Sequence, residues 1–123
     1  IPGLNDSEVP SILAAAKQAG ARTASYVLLR LPLTVEPVFR EWVQRTQPLK
    51  AERLLGRLQQ TRHGKLNNSN WGERMVGSGE IAEQIKGMFR LFKKKHGLEA
   101  SFPEYNCESF RPPASSSGQL RLF

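Results

Sequence analysis

A chain of 123 residues carrying 18 Lys+Arg against 11 Asp+Glu has a formal net charge of +7 and room for one small domain with a modest core. That balance favours polyanionic partners, although cationic side chains can equally serve only to keep a helical surface solvated. A single cysteine, Cys107, excludes an internal disulfide and points to a reducing compartment, the cytoplasm; no apolar run approaches the roughly 20 residues of a membrane span, so no membrane partner is expected.

The chain opens on Ile1-Pro2-Gly3-Leu4-Asn5-Asp6, a turn that runs into a helix. Proline and glycine stop an extended backbone, and Asn5 or Asp6 can accept hydrogen bonds from the first helical amides. This reads as a βα junction cut from a longer protein. Val9, Ile12, Leu13 and Ala16 recur at helical spacing, Pro10 is tolerated in the first turn, and Gly20 supplies the left-handed stop. Tyr26 to Leu31 is almost continuously apolar, the pattern of a parallel strand covered on both faces. Arg30 interrupts it near the carboxyl end, where an arginine calls for an anion, water or a salt bridge to Glu36 or Glu41.

Beyond Pro32 the pattern turns helical. Val38, Phe39, Trp42 and Val43 form one apolar stripe, and Leu54, Leu55 and Leu58 form another after Pro48. His63 to Gly79 is a polar loop containing four glycines. In it Lys65, Trp71 and Arg74 combine cations with an aromatic ring, a mixture that can hold a nucleic-acid backbone and stack on a base; a loop anchored by a buried Trp71 is the other reading. A helix follows, with Ser78 as N-cap, Ile81, Ile85, Met88, Phe89 and Phe92 on one face, Lys93 to Lys95 in the last turn, and Gly97 as its stop. From residue 100 to 118, prolines and serines describe a linker.

Local chemistry alone names no active site. His63 and His96 lack cysteines or carboxylates at metal-ligand spacing, and Cys107 lacks a basic partner. Gly77-Ser78-Gly79 precedes a helix without the strand or lysine of a phosphate loop.

The opening turn, the segment Tyr26 to Pro32, and the ordered set Gly64-Lys65-Leu66, Trp71-Gly72, Arg74-Met75, Gly77, Gly79 and Ala82-Glu83-Gln84-Ile85 resemble the radical S-adenosylmethionine (radical SAM) proteins related to spore photoproduct lyase. The resemblance covers about residues 1–98. It implies an α/β fold, with a final αβ unit of a partial (β/α) barrel over residues 1–32 and a helical C-terminal subdomain over 33–99; the linker 100–118 and a terminal peptide 119–123 follow. It also implies S-adenosylmethionine and a four-iron four-sulfur cluster held by a Cys-x-x-x-Cys-x-x-Cys loop, which this sequence lacks. The chain is therefore expected to be inactive alone, as part of a radical lyase or oxidoreductase acting on DNA or another nucleic acid. By position, the resemblance assigns Ile1, Leu4, Asn5, Asp6, Leu29 and Arg30 to the adenine side of the cofactor site. The alternative is a basic helical adaptor with no enzymatic activity.

Gln119, Leu120, Leu122 and Phe123 close the chain in a pattern similar to the peptides that bind the bacterial sliding clamp. Two leucines and a phenylalanine can fill an apolar groove, and a tail folded back on its own domain would bury the same side chains.

Overall fold

The computed structural model describes residues 1–102 and 104–111. Four α-helices account for its regular structure: α1 (Val9–Gln18), α2 (Val35–Thr46), α3 (Ala51–Gln60) and α4 (Gly79–Lys95). The stops act as their sequences predict. Gly20 adopts φ 92° beyond α1, where the Ala21 amide donates to Ala16 O at 2.9 Å and the Gly20 amide to Lys17 O at 3.0 Å. Gly97 repeats this motif at φ 62°, and the residue it turns inward, Leu98, is fully buried. At the end of α3 a non-glycine residue, His63, takes the left-handed conformation with φ 53°.

The expected partial barrel is not formed. Helix makes up 50% and strand 2%, and there is no sheet among the described residues, so the α/β assignment is replaced by an all-helical one. Residues 24–32 carry no strand, and the nearest pairing is an isolated antiparallel bridge between Thr23 and Glu99. A strand needs a neighbour for its amides and carbonyls, whereas a helix satisfies them within itself. Here the Ala24 amide donates to Leu98 O at 3.3 Å and the Leu28 amide to Met75 O at 2.9 Å. No amide of residues 25–27 or 29–31 has a backbone acceptor among the described residues.

The apolar run nevertheless reports its surroundings in part. Tyr26 and Leu28 pack with Ala82 and Ile85 of α4, while Leu29 and Leu31 pack with Val43 of α2 and Leu54 and Leu58 of α3. Tyr26 also meets Phe89 at 4.7 Å between ring centroids. The segment thus contacts two helical cores through Leu28 and Leu31, but it is not covered throughout, because Val27 is 52% exposed. α1 joins through Leu13, which packs with Phe89 and Leu98. On α2 the expected stripe is narrower than the sequence suggests, because Val38 is exposed while Val43 is buried. No helix among the described residues is long and apolar enough to cross a membrane.

Candidate functional site

Two glycines at the start of α4, Gly77 and Gly79, serve a close backbone approach. At Gly77 (φ 75°) a Cβ would lie 2.7 Å from Leu28 Cδ1 and 3.1 Å from Thr61 O; at Gly79 (φ 81°) it would lie 2.9 Å from Gln60 O. Ser78 sits between them and donates its amide to Thr61 O at 3.1 Å. The pair therefore fits the loop against the end of α3, which accounts for both glycines without a phosphate ligand.

That approach is secured by a residue the sequence reading passed over. Arg62, directly after α3, is 1% exposed. Its Nη1 donates to Glu73 O and Arg74 O, each at 3.0 Å, and its Nη2 to Leu28 O at 3.3 Å and Leu29 O at 3.0 Å. One guanidinium thereby ties the extended segment to the loop by four charge-assisted hydrogen bonds. Burial lowers the Arg62 pKa from its ordinary value, and the nearby positive charge of Arg30 lowers it further.

Around this clamp the expected nucleic-acid residues separate into two groups. Trp71 is 85% exposed, so it does not anchor the loop, and the Arg74 guanidinium lies over its ring at 4.4 Å from the centroid. Lys65 instead borders a polar cleft of about 210 Å³ with Arg62, His63, Asn67, Asn68 and Asn70. His63, on the cleft wall, forms with Glu73 and Ser78 a group that superficially resembles a nucleophilic triad. Ser78 Oγ and Glu73 Oε2 both contact His63 Nε2, at 3.0 and 3.4 Å. A relay needs the carboxylate on one ring nitrogen and the hydroxyl on the other, so the group closes the loop and activates nothing. Ser78 accordingly makes no side-chain cap on α4. A hydrogen bond from Asn68, at 2.7 Å, lowers the Glu73 pKa, with a smaller contribution from His63.

The residues assigned to the cofactor divide: Ile1, Leu4 and Leu29 join the cluster of α2 and α3, while Arg30 reaches the loop at Met75. Ile1, Leu4 and Leu29 pack on a single apolar cluster with Leu31, Leu54 and Leu58. Asn5 and Asp6 do not cap a helix. Asn5 Oδ1 accepts from the Ile1 amino group at 2.6 Å, and Asp6 Oδ1 accepts from the Gly3 amide at 3.0 Å, so both side chains fold the turn back on itself. Asp6 also pairs with Arg57 at 3.8 Å. Ile1, Asn5 and Asp6 border an apolar cavity of about 290 Å³ between α1, the extended segment and α4. Arg30 makes neither expected salt bridge: its recorded contact is Nη1 to Met75 Sδ at 3.7 Å, while Glu36 pairs with Arg40.

Metal chemistry finds no ligands in this part of the molecule. Among the described residues no group of three or more His, Cys, Asp and Glu side chains could hold a metal ion, and Cys107 is free and exposed. The residues present do not fit an iron–sulfur cluster. His96 stacks on Phe92 at 6.4 Å between ring centroids. The clamp-like residues Gln119, Leu120, Leu122 and Phe123 lie outside the described residues, as do residues 112–118 of the linker. No family model, curated protein or solved structure matches the chain.

Proposed function

We propose that this chain is the C-terminal part of an S-adenosylmethionine-dependent radical enzyme, to which it contributes one wall of the cofactor site and a contact for nucleic acid. The observation that carries this reading is the meeting of the opening turn with the extended segment: Ile1 and Leu4 join Leu29 on one apolar cluster, next in sequence to Arg30. These residues offer an apolar wall for a heteroaromatic ring, and the hydrogen bonds of Asn5 and Asp6 hold the turn in place. The iron–sulfur cluster belongs, in this reading, to cysteines that this sequence does not contain. Nucleic acid as the substrate class is supported by Trp71, whose exposed ring under Arg74 offers a stacking face and a cation together.

The same exposed pair favours a second reading, a non-enzymatic nucleic-acid adaptor. One experiment separates the two. The natural full-length gene product, purified anaerobically with iron and sulfide, should show cluster absorbance and reductive cleavage of S-adenosylmethionine, while residues 1–123 alone show neither. A full-length product without a cluster overturns the enzyme, and stoichiometric iron on residues 1–123 alone overturns the assignment of the cluster elsewhere. Under either reading, Trp71→Ala should weaken single-strand binding about tenfold or more, the effect of losing one stacked base. Equal binding by Trp71→Ala and the parent chain in a fluorescence-polarisation titration removes the nucleic-acid contact from both.

A further inference from the structure

We propose that the polar cleft on the loop between α3 and α4 reads one base of a single-stranded nucleic acid, adenine in the first instance, beside the stacking face of Trp71. The cleft holds about 210 Å³, and every residue that lines it is polar. It is reachable from solvent, since Lys65, Ser69 and Asn70 on its rim are exposed and Asn67 is half-buried. Pockets for drug-sized ligands are larger, about 300–1,000 Å³, and mostly apolar, so this cleft suits the edge of one small polar ring.

Its polar groups divide into those already engaged and those left open. Asn68 is held at both ends of its amide: Nδ2 donates to Glu73 Oε2 at 2.7 Å, and Oδ1 accepts from the Asn70 amide at 2.8 Å. His63 is fixed by Ser78 Oγ at 3.0 Å and Glu73 Oε2 at 3.4 Å. These bonds order the wall before a ligand arrives. Among the described residues, by contrast, the side chains of Lys65, Asn67 and Ser69 make no hydrogen bond or ion pair. An Asn amide presents a donor and an acceptor side by side, which adenine meets through N7 and N6 in two hydrogen bonds. The Ser69 hydroxyl can join as donor or acceptor, and the Lys65 ammonium supplies the charge for a phosphate. Trp71 follows Asn70 directly in the chain and is 85% exposed, so a base stacked on its ring neighbours the base read in the cleft. This site rests on the nucleic-acid contact proposed above, and adds selection to a stacking contact that by itself tolerates any base.

The test is fluorescence-polarisation titration of the 123-residue chain with labelled single-stranded homopolymers of deoxyadenosine, deoxycytidine and deoxythymidine. The deoxyadenosine strand should bind about tenfold tighter than the others, the discrimination of one bidentate pair, and Asn67→Ala should bring the three within about twofold. Lys65→Ala should weaken all three alike and reduce the slope of log affinity against log salt by about 0.7, the share of one phosphate contact. Trp71→Ala should weaken all three and leave the preference intact. Absence of binding to every strand removes the nucleic-acid contact itself, and the cleft with it. Binding without a preference for deoxyadenosine, or a preference that survives Asn67→Ala with unchanged circular dichroism, overturns the cleft alone and leaves the Trp71 contact standing. Should Asn67→Ala fail to fold, Ser69→Ala at an exposed position decides: the preference should fall about threefold, the net effect of one hydrogen bond, and an unchanged preference overturns the site. Adenosine monophosphate binding as tightly as the strand would overturn a strand as the ligand.

Discussion

Helix α4 and the extended segment of residues 24–31 both turn apolar side chains to the core and are held in opposite ways. α4 satisfies its backbone internally and ends on a glycine turn that buries Leu98. The extended segment satisfies few of its own backbone groups: two amides reach Leu98 O and Met75 O, and two carbonyls are taken by the Arg62 side chain. A helix is therefore robust to what surrounds it. An extended segment without a ladder is only as stable as the side chains that clamp it.

Removing the clamp is the strongest way to break this comparison. Arg62→Met keeps much of the apolar stem but leaves four carbonyls without their donor, and should cost on the order of 4 kcal/mol in urea denaturation. That is a large fraction of the roughly 5–15 kcal/mol that stabilises a domain. If the variant unfolds at the same midpoint as the parent chain, Arg62 is not what holds the segment. Gly77→Ala attacks the same seam from the loop side. A Cβ there meets Leu28 Cδ1 at 2.7 Å in a left-handed backbone, so a loss of about 1–3 kcal/mol is expected. Gly87→Ala on α4 meets nothing within 4 Å and should be neutral or stabilising by up to about 1 kcal/mol.

How much of this was legible in the sequence divides along the same line. The helix boundaries had visible signals: Pro10 at the start of α1, Gly20 behind it, Pro48 between α2 and α3, and Gly97 behind α4. The burial of Leu28 and Leu31 was legible as well, whereas the exposure of Val27 in the same apolar run was not. Whether the run forms a paired strand was not legible either, since pairing depends on a neighbour that local sequence does not describe. Arg62 was missed for a related reason. An arginine after a helix ordinarily reads as a solvated cation, and only the fold reveals that loop and segment both aim their carbonyls at it. The exposure of Trp71 likewise removes the anchored-loop reading, which the usual burial of large aromatics had favoured.

Two smaller changes sharpen the contrast. The Tyr26 hydroxyl is buried without a partner, and burial raises its pKa. Tyr26→Phe removes a donor the site leaves unsatisfied and should stabilise the chain by about 1 kcal/mol; a loss of stability would reveal a partner for the hydroxyl. Glu73 has a folded pKa below its ordinary value, chiefly through the Asn68 hydrogen bond. The unfolded state then binds more protons in acid, so this contribution is present above the unfolded carboxyl pKa of about 4.3 and is lost as pH falls through the folded value. Glu73→Gln should flatten the acid limb of a melting-temperature profile slightly, and an unchanged limb would remove the carboxylate from the loop's stability.

Amide hydrogen exchange on the 123-residue chain tests the central contrast most directly. The interior amides of α4 should exchange slowly, Ala24 and Leu28 should be protected by their carbonyl acceptors, and Ser25, Val27 and Leu29 should exchange far faster than either. Protection extending without a break from Ser25 to Leu31 would mean a paired strand, and would contradict an extended segment clamped by Arg62.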